Sequence, residues 1–299
     1  MSATVAGTPL PPAAAFEPER DRGQSLLGAL RRPGPVIGLA VLAGWLLAAA
    51  LAPAIVPHSP NAPTPTELAA PSALHWFGTD ELGRDVLSRV IYGARVSLPL
   101  ALLLVALAST IGSLVGAVAG LAGGAVDSLI MRTTDMFFAF PGIVLTMAVA
   151  AALGPSLRNA VLAVVIVSWP AYARVVRGLL LSIRTTNYIT ISRLLGTPTR
   201  RILARDILPN IVGPIVVLAT LDIGSAVLLL AGLSYLGLGA QPPTAEWGAM
   251  VADGSQYFSN WWMALFPGLA IVSVVFAANL IGDALRDFFD PTTTVGRGR

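Results

Sequence analysis

Long apolar runs without a charged side chain alternate with short polar segments along this 299-residue chain. The first run, residues 35–56, is long enough as a helix to cross the roughly 30 Å hydrocarbon core of a bilayer, because an α-helix rises about 1.5 Å per residue. The pattern therefore predicts an all-α integral membrane protein with about six transmembrane helices. The further runs are 96–126, 136–157, 159–173, 211–239 with Asp222 inside it, and 262–282.

The first apolar run also has one feature of a secretory signal peptide, since Ala50-Leu51-Ala52 resembles a cleavage site. Its apolar stretch is longer than a typical signal-peptide core, and Pro53 would directly follow the cut. We therefore expect residues 35–56 to stay in the chain as the first transmembrane helix.

The composition supports a membrane location and removes several chemistries. Hydrophobic residues make up 55% of the chain and charged residues 12%, whereas soluble domains carry about 25% charged residues. The chain has no cysteine, and the 19 residues counted as Lys plus Arg are all arginines. Disulfides, thiolate metal sites, Schiff-base lysines and the lysine of a Walker A phosphate loop are therefore excluded.

The distribution of arginines predicts the orientation, because cytoplasmic segments of membrane proteins are enriched in Lys and Arg. If both termini are cytoplasmic, 15 of the 19 arginines fall inside: four in residues 1–34, Arg132, seven in 174–210 and three after the last apolar run. The remaining four fall outside. We predict a multi-pass protein with a cytoplasmic N-terminus and a cytoplasmic C-terminus.

The polar segments between the runs predict the domain organisation. After the first run the chain is Pro- and Thr-rich and then amphipathic, with Leu82, Val86 and Val90 at helical spacing. The motif Gly-Thr-Asp-Glu at 78–81 predicts the start of a surface-lying helix, with acids in its first turn. The predicted segments are a cytoplasmic tail (1–34) with an interfacial helix near 24–32, the first transmembrane helix (35–56), an external loop with an amphipathic helix (57–95), a core domain (96–291) that contains an arginine-rich loop (174–210), and a cytoplasmic tail (292–299).

The ionisable residues of the external loop do not match a known type of metal site. Asp80, Glu81 and Asp85 lack the alternation of an EF-hand loop. The two histidines of the chain, His58 and His75, also lie here, and neither has a helical spacing with another ligand. We predict no metal ligands and no catalytic residues.

Two polar residues within the apolar runs are candidates for a translocation path. Asp222 interrupts the fifth run, and a carboxylate inside a membrane is costly and often functional. Asn279 lies in the sixth run. Asp222 could instead form a hydrogen bond between helices or face the bundle interior as a neutral protonated acid, and the sequence leaves its role open. For Asn279 the same choice between a path role and a structural role exists, and the structural role is favoured.

Three glycines in the second run recur every four residues, at Gly112, Gly116 and Gly120. Residues at this spacing share one helix face, and small residues there let a neighbouring backbone approach closely. The repeat predicts close helix packing, with a substrate groove along the same face as an alternative.

The arginine-rich loop contains strong signals for two short helices. Asn187 can cap the first helix, and Gly196 suits the position just after its end. Thr197 can cap the second helix with Pro198 at its first position, and Pro209 is expected to end it. Two short helices joined at a glycine form either a docking surface for another protein or an ordinary positive loop that contacts anionic lipid.

Four stretches of the chain resemble a known family: the inner-membrane permeases of dipeptide, oligopeptide and nickel ABC importers, also called binding-protein-dependent transport permeases. The match is to the second of the two permease types and covers roughly residues 30–291. The stretches are 76–98, which begins Trp-Phe-Gly-Thr-Asp-Glu-Leu-Gly-Arg-Asp, 188–210, which ends Leu-Leu-Gly-Thr-Pro-Thr-Arg-Arg-Ile-Leu-Ala-Arg-Asp-Ile-Leu-Pro-Asn, 233–254, which begins Leu-Ser-Tyr-Leu-Gly-Leu-Gly-Ala-Gln-Pro-Pro-Thr-Ala-Glu-Trp-Gly, and Asn-Leu-Ile-Gly-Asp-Ala-Leu-Arg-Asp at 279–287.

The resemblance implies the type I ABC importer permease fold and a role in transport. Such a chain is half of a heterodimeric pore with a homologous second permease in the bacterial cytoplasmic (inner) membrane. It works with two cytosolic ABC ATPase subunits or domains and with an extracytoplasmic substrate-binding protein, which external residues 57–95 and 240–261 are implied to receive. ATP and Mg²⁺ belong to the ATPases, and no cofactor or nucleic acid binds this chain. Short peptides are the implied cargo, with nickel chelates or another small solute as the alternative, and transport proceeds by alternating access.

In this family the short helix before the loop glycine sits in a cleft of the ATPase, so the resemblance favours the docking interpretation. Leu194-Leu195-Gly196 matches the family's Ala-Leu-Gly. Thr190-Ile191-Ser192 replaces its usual Glu-Ala-Ala, which removes a carboxylate from the helix start. The implied coupling residues are Tyr188, Thr190, Ser192, Leu194, Leu195, Gly196, Thr197, Arg201, Pro209 and Asn210.

Three other classes of protein are alternatives. A secondary transporter driven by an ion gradient would need paired intramembrane charges and matching broken helices in two halves, whereas Asp222 is isolated in its run. A membrane enzyme would need a catalytic pair, but the histidines lie outside the apolar runs and no Gly-x-Ser-x-Gly motif occurs. A structural scaffold would not need the glycine-joined helices of the cytoplasmic loop.

Overall fold

The computed structural model of the protein describes residues 33–289. The predicted interfacial helix near 24–32, the predicted tail 292–299 and all but the last two residues of the tail 1–34 lie outside the described residues. The helices are α1 (Pro33–Ile55), α2 (Val86–Ala122), α3 (Gly124–Phe138), α4 (Gly142–Leu153), α5 (Leu157–Arg184), α6 (Asn187–Leu194), α7 (Thr199–Ile202), α8 (Leu208–Tyr235), α9 (Trp247–Ser255) and α10 (Trp262–Phe289), with a π-helical turn at Leu203–Ile207 between α7 and α8.

Five of these helices are long and apolar enough to cross a membrane, namely α1, α2, α5, α8 with the preceding π-helical turn, and α10. The pair α3–α4 makes a sixth if it is counted as one span with a bend of 91°. Residues 33–289 contain no β-strand beyond a single isolated bridge. The prediction of an all-α membrane protein with about six transmembrane helices is confirmed.

The third predicted run is a pair of helices and not one continuous helix. The sequence predicts a helix over 136–157, and this is wrong because α3 ends at Phe138 and α4 begins at Gly142. Pro141 lies at the break, with φ −57° and ψ 121°. Proline has no backbone N–H and disfavours the helical conformation of the residue before it, so the chain turns at this point.

The predicted surface helix of the external loop is also wrong. α2 begins at Val86 and runs for 37 residues, so the amphipathic residues that follow Asp85 form one end of a transmembrane helix. Asp85 is the N-cap of α2, and its side chain accepts a hydrogen bond from the Ser88 amide at 2.8 Å. Just before it, Gly78 and Gly83 have φ of 77° and 73°, which interrupts a helix there.

The glycine repeat of α2 packs directly against the backbone of α5. A Cβ atom added at Gly112 would overlap the Trp169 carbonyl, and one added at Gly116 would overlap the Ala173 carbonyl. The predicted close packing is therefore confirmed, with α2 and α5 in backbone contact along this face.

We expect Gly116→Val to destabilise the fold severely, because the new side chain has to displace the backbone of α5 rather than a flexible side chain. Overpacking of this kind costs about 1–3 kcal/mol or more. Gly44→Val in α1 is the matched control, since a Cβ at Gly44 meets nothing within 4 Å. The measurement is the monodisperse yield and apparent Tm in detergent. Equal yields and equal Tm values for Gly116→Val and Gly44→Val would contradict the close packing of α2 against α5.

Two apolar clusters hold the described helices together. The larger one contains residues from α2, α5, α8, α9 and α10, and at its centre Trp247 is completely buried. The smaller one, which we call the basal cluster, joins the end of α5 to α6, α7, the π-helical turn and α8. The basal cluster consists of Val176, Leu180, Ile189, Ile202, Ile207 and Ile211.

The irregular external segment, residues 56–85, is attached to the bundle by aromatic side chains. Trp262 of α10 donates its Nε1–H to the Thr79 carbonyl at 3.1 Å. Phe77 stacks on Phe266 of α10 with ring centroids 3.8 Å apart. The external segment therefore has a defined position relative to α10, although it contains no helix.

Candidate coupling segment and membrane cavity

Residues 187–210, which we call the coupling segment, contain α6, a glycine turn, α7, the π-helical turn and the start of α8. α6 ends at Leu194, and Gly196 follows with φ of 75°. The Thr197 amide donates to the Ser192 carbonyl at 3.0 Å, which closes the turn as in a Schellman motif. Glycine adopts this φ without steric cost, and the predicted glycine position after the first helix is confirmed.

The second short helix differs from its prediction at its end. α7 passes through the π-helical turn into α8, so Pro209 does not end a helix but lies in the first turn of α8. A missing N–H is tolerated in a first turn, which explains why the helical path continues. Pro209 and Asn210 are exposed, and Asn210 donates to the Asp206 carbonyl at 2.6 Å. π-helical turns inside helices are frequent at functional sites.

One face of the coupling segment is buried, and its tip is open and apolar. Ile189 and Ile202 are 0% and 2% exposed within the basal cluster. Leu194 and Leu195, next to Gly196, are 82% and 79% exposed. Exposed apolar patches on otherwise polar surfaces are typical of protein interfaces. The segment therefore presents two leucines on a turn whose other face is anchored in the bundle.

The remaining predicted coupling residues lie around this tip. Ser192 and Thr197 are half-buried beside the glycine turn, and Arg201 is exposed on α7. The side chains of Tyr188 and Thr190 lie outside the described part of the chain. Among the residues that can be placed, α6, the glycine turn and α7 are adjacent, whereas Pro209 and Asn210 lie beyond the π-helical turn.

Two arginines that the sequence assigns to the loop are part of α5 and pair with acids of α3. Arg177 donates two hydrogen bonds to Asp127, at 2.5 and 2.7 Å. Arg174 pairs with Asp135 at 2.5 Å. Their partners precede them by 50 and 39 residues, so the loop sequence does not reveal them. These arginines attach α3 to α5, which weakens the interpretation of the loop as a positive surface for lipid alone.

A cavity of about 200 Å³, the membrane cavity, lies between α2, α5 and α8. Asp222 of α8 lines it together with Tyr172, Ser168 and Ser225. The Tyr172 hydroxyl donates to Asp222 Oδ2 at 2.6 Å, and Tyr172 is almost completely buried. The carboxylate inside the membrane span thus has a hydrogen-bond donor and faces a space large enough for a small polar group.

The sequence predicts Asp222 but misses Tyr172. The two residues are 50 positions apart on different helices, and a hydroxyl within an apolar run is the only signal the sequence carries. Asn279, the other predicted polar residue, is exposed on α10 and does not line the membrane cavity. The structure therefore does not bring the two predicted path residues together.

A second cavity, the external cavity, has a volume of about 280 Å³ and charged walls. Arg84 contacts Asp80 at 2.6 Å and Glu81 at 2.8 Å, and Arg89 contacts Asp80 at 3.4 Å. Asp253 of α9 lines the same space. Burial raises the pKa of Glu81 and the pKa of Asp253, while Arg89 and Arg84 partly oppose the shift at Asp253.

We expect Asp253→Asn to stabilise the protein at high pH and to have little effect at low pH. Because burial raises the pKa of Asp253, the folded state binds its proton more tightly than the unfolded state does, and stability is lost as pH rises through the folded pKa. The uncharged amide side chain of the variant avoids the cost of ionising a buried carboxyl group. The apparent Tm should rise by roughly 1–3 °C at pH 8 and stay unchanged near pH 4. Equal Tm values for the variant and the wild type at every pH would contradict a raised pKa of Asp253.

The external segment also brings together a cluster that the sequence does not predict. One ring nitrogen of His58, one of His75 and a carboxylate oxygen of Asp85 lie within 4.8 Å of one another. Helical spacing does not reveal this cluster, because the segment that carries these residues folds as irregular turns.

Comparison with known proteins gives a consistent result. The family model described as "Binding-protein-dependent transport system inner membrane component" matches residues 112–295. The probable D,D-dipeptide transport system permease protein of Escherichia coli K12 is 46% identical over 91% of this chain and 92% of its own length. The dipeptide transport system permease protein of Alkalihalophilus pseudofirmus is 43% identical over 86% and 85%. The nickel transport system permease protein of Escherichia coli K12 is 42% identical over 79% and 86%.

A solved structure, the MetNI methionine ABC transporter in inward-facing conformations, matches with a TM-score of 0.50 at 20% identity. The match covers 65% of this chain and 95% of that chain. This similarity concerns the fold, and it confirms the predicted type I importer permease fold.

Proposed function

This chain belongs to the family of binding-protein-dependent transport system inner membrane components, and from that premise we propose that it is the permease subunit of an ATP-driven importer of short peptides. It is proposed to form half of a pore with a homologous second permease in the bacterial inner membrane. Two cytosolic ABC ATPase subunits or domains and an extracytoplasmic binding protein complete the assembly. The predicted cytoplasmic location of both termini is part of the proposal.

The observation that carries the proposal is the connection between the coupling segment and the membrane cavity. The segment lies between α5 and α8 in the chain and is anchored to both of them through the basal cluster. The same two helices supply Tyr172 and Asp222 to the wall of the cavity. A displacement of the exposed tip is therefore transmitted to both sides of the cavity without a flexible linker.

This geometry supports alternating access without covalent chemistry in the chain itself. Closure of the ATPase dimer would move Leu194 and Leu195, and with them the ends of α5 and α8. ATP and Mg²⁺ are proposed to bind the ATPases alone. The coupling role of Tyr188, Thr190, Ser192, Gly196, Thr197, Arg201, Pro209 and Asn210 is part of this proposal.

Peptides are the preferred cargo because dipeptide permeases are among the relatives, and a nickel chelate is the second candidate because a nickel permease is another. The carboxylate of Asp222 in the membrane cavity suits either a peptide ammonium group or a cationic chelate. Competition between an unlabelled dipeptide and a labelled nickel chelate for uptake separates the two.

An ion-gradient carrier would be expected to have paired charges at the midpoint of the membrane. The membrane cavity instead pairs one carboxylate with a neutral phenol. The test is uptake by proteoliposomes that contain the assembled permeases and ATPases with the loaded binding protein outside. We expect uptake to require internal ATP and to survive collapse of the ion gradients. Uptake that ignores ATP and stops with an ionophore would replace the importer with a gradient-driven carrier.

A further inference from the structure

Every imidazole of the chain lies at one point of the external segment. The chain has two histidines, His58 and His75, and no cysteine. Their ring centroids are 4.8 Å apart. One nitrogen of each ring and a carboxylate oxygen of Asp85 lie within 4.8 Å of one another. Both imidazoles of the chain therefore lie beside the same carboxylate.

The carboxylate is held in place on one side and faces a histidine on the other. Oδ2 of Asp85 accepts hydrogen bonds from the amide and the hydroxyl of Ser88, at 2.8 and 2.7 Å. Oδ1 lies 2.9 Å from Nδ1 of His75. His75 and Asp85 are 3% and 1% exposed. Two of the three groups are therefore buried, oriented and already at the spacing of neighbouring ligands.

The third group, His58, is oriented by the backbone but remains accessible. Its Nε2 lies 3.2 Å from the Leu74 carbonyl, and because a carbonyl only accepts, this contact is a hydrogen bond in the tautomer that carries the proton on Nε2. Nδ1 then has a free lone pair. A ligand histidine whose other nitrogen donates to a backbone carbonyl is the usual arrangement around protein-bound metals. The amide of His58 also donates to the Ser88 hydroxyl at 3.2 Å, which ties it to the start of α2.

We propose that His58, His75 and Asp85 bind a divalent transition-metal ion of the Zn²⁺ or Ni²⁺ class. Two imidazoles and one carboxylate suit such ions, whereas Ca²⁺ and Mg²⁺ prefer oxygen ligands alone. Metal–ligand bonds of about 2.0–2.2 Å place neighbouring ligand atoms roughly 3–4 Å apart. His75 Nδ1 and Asp85 Oδ1, now joined by a hydrogen bond at 2.9 Å, have to separate by a few tenths of an ångström, and the ion replaces the proton between them, which is released to solvent. The half-exposed His58 ring has to move inward. Its exposed side leaves room for water as a further ligand.

The ion would join the external ends of two transmembrane helices. His58 follows the end of α1 by three residues, and Asp85 is the N-cap of α2. Between them the chain makes a long excursion through irregular turns. A metal ion at this point links the two ends of the irregular segment and holds α1 against α2. This role is the same for any cargo of the pore.

The test uses the full chain assembled with its partner subunits and purified through an affinity tag without histidines. After EDTA treatment, ZnCl₂ is added, and bound zinc is measured by elemental analysis together with the apparent Tm. NiCl₂ is tested in parallel, and MgCl₂ and CaCl₂ are the negative metals. We expect wild type to retain one more zinc per chain than His58→Ala and to show a zinc-dependent rise in Tm.

His58→Ala is the decisive variant because it leaves the buried hydrogen bond between His75 and Asp85 intact. Its zinc affinity at this site is expected to fall by at least about tenfold. Glu67→Ala, which removes an exposed carboxylate from the same segment, is the matched control and should bind zinc like wild type. Asp85→Asn keeps the helix cap and should also weaken binding. Equal zinc content and equal Tm response in wild type and His58→Ala would overturn the proposal, as would a wild-type complex that binds no zinc.

Discussion

Gly196→Arg should uncouple the permease from the ATPase partners proposed for it while leaving the membrane bundle assembled. Gly196 has φ of 75° and closes the turn that carries Leu194 and Leu195. A side chain in this conformation costs about 1–2 kcal/mol, and the larger penalty is that the leucine tip changes shape and gains a charge. We expect co-purification with the ATPases and peptide-stimulated ATP hydrolysis to fall by at least about tenfold.

Two further variants separate a local effect on docking from a general loss of stability. Gly154→Arg is matched for open space and for positive φ, since Gly154 has φ of 88° and a Cβ there meets nothing within 4 Å, and its ψ of 156° makes it a stringent control for backbone strain. It lies before the start of α5, at the opposite end of that helix from the coupling segment, and should retain coupling. Gly196→Asn should retain part of the coupling, because asparagine tolerates the positive φ of Gly196. A Gly196→Arg complex that hydrolyses ATP at the wild-type rate would contradict the coupling role.

Asp222→Asn should abolish most transport without preventing assembly. The substitution keeps the size of the side chain and an oxygen that accepts the hydrogen bond from Tyr172, while it replaces the other carboxylate oxygen by an NH2 group that cannot carry a negative charge. If the carboxylate receives a cationic group of the cargo in the membrane cavity, uptake should fall by at least about tenfold, because charge interactions are strong in a region of low dielectric. The measurement is ATP-dependent uptake by proteoliposomes at equal permease content.

Comparison with Tyr172→Phe decides between a transport role and a structural hydrogen bond. Tyr172→Phe keeps the carboxylate but removes its hydrogen-bond donor. Because Asp222 is only partly buried, we expect a loss at the lower end of the about 1–3 kcal/mol that a buried group would lose. Thr220→Val on the same helix is the control, since the Thr220 hydroxyl bonds only to the Val216 carbonyl of its own helix. Wild-type uptake by Asp222→Asn together with a destabilised Tyr172→Phe would assign the pair to the architecture of the bundle and not to the path.

Features governed by local chemistry were predictable from the sequence. Transmembrane helices follow from apolar length, and all the long ones are found near their predicted positions. Gly196 follows from the rules for helix ends, because the position after a helix favours a left-handed conformation. The packing role of Gly112 and Gly116 follows from their spacing.

Three helix boundaries differ from their predictions, and in the first two a local signal was outweighed by a stronger one nearby. The break at Pro141 lies in an uninterrupted apolar run, and hydropathy concealed the backbone effect of the proline. At the start of α2, acids at 80 and 81 imitate a first helical turn, but the glycines around them adopt positive φ and Asp85 is the true cap. Pro209, conversely, looked like a helix end and occupies a first turn.

The pairings that give the candidate site its chemistry depend on tertiary structure. Tyr172 reaches Asp222 only because α5 and α8 lie side by side, and Arg177 finds Asp127 only because α3 folds back along α5. No periodicity in the sequence relates such residues. The cluster of His58 and His75 shows the same limit in an irregular segment, where spacing along the chain carries no information about distance.

The basal cluster has a consequence for how the protein is made. Val176 and Leu180 are synthesised and inserted with α5, but Ile207 and Ile211 arrive only with α8. Until that later helix enters the bilayer, the buried face of α6 lacks two of its packing partners, Ile207 and Ile211. A ribosome-bound chain therefore cannot display a finished docking surface. We therefore expect the proposed docking surface to be complete only after α8 has been inserted.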